Sequence, residues 1–136
     1  MGNTQGKNKS YSEMMKLKTF KERVEYLSID YDYQSPRSKR SQEFYKSDLW
    51  RRTRKSIIAR DLGNDLGFGG RDILTKVIVH HIEPITIDDI ISGSYKCIDP
   101  ENLVTTSIET HNIIHYGLRD DLIYEERQPN DHILWR

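Results

Sequence analysis

The sequence predicts an α+β chain, with helices toward the N-terminus and two short strands that lead into a further helix. Three observations carry that reading. Apolar residues recur at steps of three and four in residues 11–28, and residues 42–61 hold apolar groups without a single Gly or Pro, as helices buried on one face do. β-branched residues crowd 76–82 and recur in 103–106, which favours strands. Between these halves, Leu62 to Gly70 carries four glycines and has to turn. The 136 residues suffice for one compact domain plus an arm. At 35% apolar and 31% charged the chain is polar, yet too rich in Ile, Leu and Tyr for wholesale disorder.

Residues 1–10, rich in Gly, Asn, Ser and Lys, read as a disordered leader. Met14, Leu17, Phe20, Val24 and Leu27 then mark one amphipathic helix over 11–28, with Ser12 as its N-cap. Pro36 and a polar Ser/Arg/Lys cluster make 29–41 a linker, so 1–41 forms leader, helix and linker. Phe44, Leu49, Trp50, Ile57 and Ile58 support a second helix over 42–61. Residues 76–82 form a strand, and Thr86 caps one or two helical turns that Gly93 ends. Leu103 to Thr106 is a return strand, and Ser107 caps a helix running to Leu118. The main domain is thus 42–118, and 119–136 is a tail whose Trp135 is expected to pack back on it.

A formal net charge of zero hides an asymmetry. Residues 1–60 hold 15 Lys/Arg against 7 Asp/Glu, whereas 61–136 hold 6 against 14. Arg37, Lys39, Arg40, Lys46, Arg51, Arg52, Arg54, Lys55 and Arg60 surround Phe44, Tyr45 and Trp50. Basic and aromatic groups so mixed suit a phosphate backbone, although a solvated helix face has the same composition. No apolar run is long enough for a membrane span, and the first residues lack the apolar core of a secretory signal, so a cytoplasmic chain is expected. The lone Cys97 excludes an internal disulfide and an all-Cys zinc site, and reads as a buried small residue.

Four of the five histidines carry the chemistry. His111 and His115 are four apart on a helix, so both imidazoles project from one face and can chelate one ion. His80 and His81 are adjacent on a strand and point to opposite sides of the pleat. One can join the helix pair as third ligand, while the other stays unmetallated as a general base. Three neutral imidazoles favour Zn, Ni, Co or Mn over the harder Mg. His132 lies apart and reads as a surface residue.

Three segments together resemble the HNH endonuclease motif: Val79-His80-His81-Ile82-Glu83-Pro84-Ile85, Asp99-Pro100-Glu101-Asn102-Leu103-Val104, and Glu109-Thr110-His111-Asn112-Ile113-Ile114-His115. The His-His, Asn, His-x-x-x-His order is most similar to the colicin-type DNase version. Phe44 to Arg52 also resembles the approach helix of small phage-encoded HNH nucleases. The resemblance spans about 42–118 and implies a ββα-metal core. It implies His81 as general base, His80, His111 and His115 as ligands of one divalent ion (Mn, Ni, Co, Zn or Mg), and Asn102 as the brace of the inter-strand loop. Arg51, Arg52, Arg54 and Lys55 are the candidate contacts to nucleic acid, with no ranking among them. DNA is the implied partner. Packaging with terminase, homing and host-DNA attack are all open, as are nicking by a monomer and double cutting by a homodimer.

The chain departs from the family in three ways. Ser107 and Thr110 stand where many members carry a zinc-binding Cys pair, and the Leu62–Gly70 loop lacks the other pair, so no zinc knuckle is expected and the fold should rest on apolar packing. The loop between His81 and Asn102 carries Glu83, Asp88, Asp89, Asp99 and Glu101, which would repel phosphate unless turned away or used to orient the site. The basic surface lies almost wholly before the motif. A non-catalytic nucleic-acid-binding protein with a relict motif and an RNase of the same fold remain the rival readings, and Asn102 can also be a plain turn residue.

Overall fold

The computed structural model describes residues 9–29 and 38–116. The leader's first eight residues, most of the expected linker with Arg37, and the tail with His132 and Trp135 lie outside them. The architecture is mixed α+β: six helices around one two-stranded antiparallel sheet. No helix among the described residues is long and apolar enough to cross a membrane.

The first expected helix is two. α1 covers Tyr11–Met15 and α2 covers Phe20–Leu27. Ser10, not Ser12, caps α1, accepting from the Glu13 N–H. Thr19 and Glu22 form a capping box that restarts the helix. The apolar spacing runs across the break because Met14, Phe20, Val24 and Leu27 all enter the same core. Arg23 secures the corner: its guanidinium donates to the carbonyls of Met15, Leu17 and Leu66. These include carbonyls that the short α1 leaves without helical partners.

The second expected helix is also two. α3 covers Lys39–Tyr45, taking in part of the expected linker, and α4 covers Asp48–Arg60. Ser38 and Ser47 cap them, Ser47 accepting from the Trp50 N–H at 3.1 Å. β1 (Val77–His81) pairs with β2 (Leu103–Ser107), with Val77 opposite Ser107 and His81 opposite Leu103. Between them α5 (Ile87–Ser92) starts at a Thr86–Asp89 capping box and ends at Gly93 in the left-handed conformation, φ 71°. α6 (Ile108–Tyr116) follows β2 directly, and Ser107 Oγ accepts from the Thr110 N–H, as expected of its cap.

Two apolar clusters sit against the sheet. Met14, Phe20, Val24, Leu27, Leu66, Ile82, Val104 and Ile114 form one. Trp50, Ile57, Val79 and Leu103 form the other. Apolar packing is not the whole support, however. A two-stranded sheet has two open edges, whose backbone groups need partners when buried. On β2, Asp61 accepts from the Thr105 N–H at 2.9 Å, and Asp65 accepts from the Ser107 N–H at 3.0 Å. Arg60 donates to the Leu103 carbonyl at 2.7 Å. Asp65 also accepts from the hydroxyls of Ser107 and Thr110, at 2.9 and 2.6 Å. The fold rests on apolar packing, as expected, and buried carboxylates add to it. Where a zinc knuckle was considered, a buried carboxylate ties the 62–70 loop to the start of α6.

Candidate metal centre and its cleft

β1 and α6 bring three imidazoles together. His80 is 3% exposed, while His111 and His115 are half-buried one turn apart on α6. Ring centroids lie 5.3 Å apart for His80–His111, 5.2 Å for His80–His115 and 4.4 Å for His111–His115. One nitrogen from each falls within 4.8 Å of the others.

Two observations test whether these residues fit a metal. His80 Nε2 is buried without a hydrogen-bond partner among the described residues, a costly state that coordination would relieve. All three rings also favour the neutral form that ligates. Burial drives His80 well below its ordinary value, with His111 and His115 adding to the effect. Burial, then His115, lowers His111 to about 4, and burial lowers His115. Both fit the triad as a candidate metal site.

His81 takes the other face of the pleat, as adjacent strand residues must. Its Nε2 lies 2.8 Å from the Cys97 carbonyl oxygen. A carbonyl only accepts, so Nε2 carries the proton and Nδ1 holds the free lone pair. Burial lowers this imidazole to about 4, against the opposing pull of the Cys97 carbonyl, so it is neutral near pH 7. Its ring stacks on the Trp50 indole, centroids 5.3 Å apart and planes 19° apart.

His80 and His81 nevertheless line the same cavity, of about 350 Å³, with His111, His115, Trp50 and Arg54. A cleft that meets both sides of one strand reaches around its free edge. Arg54 marks that edge, donating to the Val77 carbonyl at 2.8 Å.

Asn102 is 6% exposed, and its side chain does more than close a turn. Oδ1 accepts from the Glu83 N–H at 2.6 Å, and Nδ2 donates to the carbonyls of Glu83 and Lys96 at 3.1 and 3.0 Å. It therefore joins the exit of β1 to the residue before Cys97, whose carbonyl meets His81. Cys97 is buried, as expected. The acids of this loop mostly serve local structure. Glu83 accepts from the Lys9 N–H, Asp89 closes the α5 capping box, and Asp99 caps the 3-10 turn Pro100–Asn102. Glu101 accepts from both the backbone and the hydroxyl of Ser12, which lower its carboxyl.

The basic candidates separate by position. Arg54 alone of the four lines the histidine cleft. Arg51 pairs with Asp48 on the surface, and Arg52 and Lys55 are exposed. Arg60, counted in the basic stretch, is committed to the fold through Asp61, Pro100, Leu103 and the Tyr11 ring. Sequence reasoning missed Lys76 at the cleft and the stacking role of Trp50. The four-residue step from Trp50 to Arg54 was a usable signal, since it puts both on one face of α4.

No protein-family model, curated protein or solved structure matches this chain. The functional reading therefore rests on the site.

Proposed function

We propose that the chain is a metal-dependent endonuclease of the HNH type, with β1, β2 and α6 as its ββα-metal unit and DNA as its substrate. The observation that carries the reading is one cleft holding two kinds of histidine. Three clustered imidazoles include a buried nitrogen without a partner among the described residues, and a fourth is held by a carbonyl and left with a free lone pair.

His80, His111 and His115 would hold the ion. When bound, it supplies positive charge for the scissile phosphate and the departing 3′ oxygen. His81 Nδ1 accepts the proton of the attacking water. The Cys97 carbonyl keeps the Nε2 proton in place and steadies the imidazolium that forms. Arg54 adds a fixed positive charge to the same cleft, and exposed Arg51, Arg52 and Lys55 extend it along α4 toward the flanking backbone. Asn102 holds the loop that carries the Cys97 carbonyl.

Supercoiled plasmid tests this directly. Metal-stripped protein is incubated with Mg, Mn, Co, Ni or Zn, wild type beside His81→Ala. Metal-dependent conversion to open circle, lost in the variant, is the expected result, and linear product without an open-circle lag marks a dimer that cuts both strands. Cleavage of RNA but not plasmid would reassign the substrate. Folded, metal-loaded protein that cuts neither would leave a nucleic-acid-binding module.

A further inference from the structure

We propose that Trp50 is a positioning residue for His81, so that the first helical half of the chain sets the orientation of the group assigned above as general base. The inference rests on that assignment, and its test also has an arm that does not.

A single hydrogen bond fixes one atom of an imidazole, not the plane of the ring. His81 donates that bond from Nε2 to the Cys97 carbonyl on the inter-strand loop. The remaining rotation is limited by a face, and Trp50 supplies one, nearly parallel at 19°. The indole is itself fenced. Tyr45 meets it edge-on at 5.3 Å and 84°, and Phe44 lies tilted against it at 5.4 Å. Tyr45 also meets His81 edge-on at 6.4 Å. Two rings, Tyr45 from α3 and Trp50 from α4, thus meet an imidazole carried by β1, with Phe44 packed against both of them.

The anchoring is rigid at its root. Trp50 sits in the first turn of α4, its backbone held by the Ser47 cap, and its side chain is 6% exposed within the cluster of Ile57, Val79 and Leu103. One turn further along α4, Arg54 bonds the Val77 carbonyl of β1. The same helix face that orients the ring is therefore pinned to the strand that bears it. Small displacements of a reacting group cost rate steeply, so a ring free to tilt should lose turnover rather than substrate affinity.

The test uses the full chain with Trp50→Leu, Trp50→Phe and Tyr45→Leu. Three quantities are read: cobalt affinity, kcat and KM for plasmid nicking, and the His81 ring signals in 15N–1H long-range correlation spectra. Trp50→Leu is expected to lower kcat by about 10- to 100-fold with KM within about twofold. Cobalt affinity stays within about twofold, because the triad lies on β1 and α6. Trp50→Phe keeps an aromatic face and recovers most of kcat. Tyr45→Leu, at a partly exposed position, falls between wild type and Trp50→Leu and serves if the leucine variant does not fold. In the spectra the wild-type His81 shows one Nε2-protonated form, which becomes exchange-broadened in Trp50→Leu.

Unchanged kcat in folded Trp50→Leu, or in both Trp50→Phe and Tyr45→Leu if the leucine variant does not fold, overturns the proposal. So does loss of cobalt binding in step with kcat, which would make Trp50 a support of the whole fold. If wild type cuts no nucleic acid, the nuclease reading fails separately. The spectra then still decide whether Trp50 fixes the His81 ring.

Discussion

Thr110 and His111 are neighbours on α6, yet they belong to two buried polar clusters of opposite character. On the Thr110 side, Asp65 receives hydrogen bonds from the Ser107 amide and from the Ser107 and Thr110 hydroxyls. Nearby, Asp61 receives the Thr105 amide and the Tyr11 hydroxyl. On the His111 side, three imidazoles face one another and His80 Nε2 has no partner among the described residues. Satisfied buried groups hold a fold, whereas an unsatisfied one is retained against its cost where a ligand completes it. One helix is thus anchored by its hydrogen-bonded cluster and carries a candidate metal site at the other.

The difference can be broken from either side. The largest effect is expected from His81→Ala, which should reduce plasmid cleavage by roughly 10²–10⁴-fold while cobalt binding persists. Equal loss of cobalt binding would remove His81 from the role of base. Next, Asp65→Ala leaves three donors unpaired and should cost about 3 kcal/mol in urea unfolding, with or without metal. His111→Ala should do the reverse, weakening cobalt binding at least about 10-fold and leaving metal-free unfolding nearly unchanged. If His111→Ala instead destabilises the metal-free protein as much as Asp65→Ala does, the two clusters are not different in kind.

Their pH responses should also oppose. Near pH 5 the unfolded histidines, with a usual pKa near 6.5, bind protons that the native His111, lowered to about 4, refuses. Metal-free stability from this cluster is therefore complete above about pH 6.5 and falls as pH drops toward about 4. Burial raises the Asp65 carboxyl despite its hydrogen bonds. Its native form gives up its proton at a higher pH than the unfolded chain does, so its contribution falls as pH rises above the usual Asp value of about 3.9. Unfolding curves of His111→Ala and Asp65→Asn across pH 3.5–7 should flatten these opposite slopes separately. The smallest effect is expected from Tyr11→Phe, which removes one hydrogen bond to Asp61 and should cost about 1 kcal/mol in urea unfolding.

The α+β class, both strands, α5 with its Thr86 cap and Gly93 stop, and α6 with its Ser107 cap were legible because each is written in local patterns. That one strand histidine joins His111 and His115 was legible too, since strand alternation and helical spacing limit where imidazoles can point; that it is His80 was only what the HNH resemblance implied. The breaks before α2 and α4 were not. The apolar rhythm continues through them, and neither Gly nor Pro marks them; only Thr19-x-x-Glu22 and Ser47 did. Asp61 reads as the last residue of the expected second helix, and Asp65 sits in the glycine-rich turn. Their partners lie more than 40 residues away, a relation that local pattern does not carry. The same holds for Trp50 against His81.

α6 also links the making of the protein to its chemistry. Ile114 packs into the cluster of Phe20, Val24 and Leu27, and its carbonyl accepts from the Ile29 N–H at 3.1 Å. The same helix brings two of the three clustered imidazoles. A chain ending before Ile108 would lack both Ile114 of the core and two of the three clustered imidazoles. Closure of the core and the gathering of the histidine triad thus depend on the same helix.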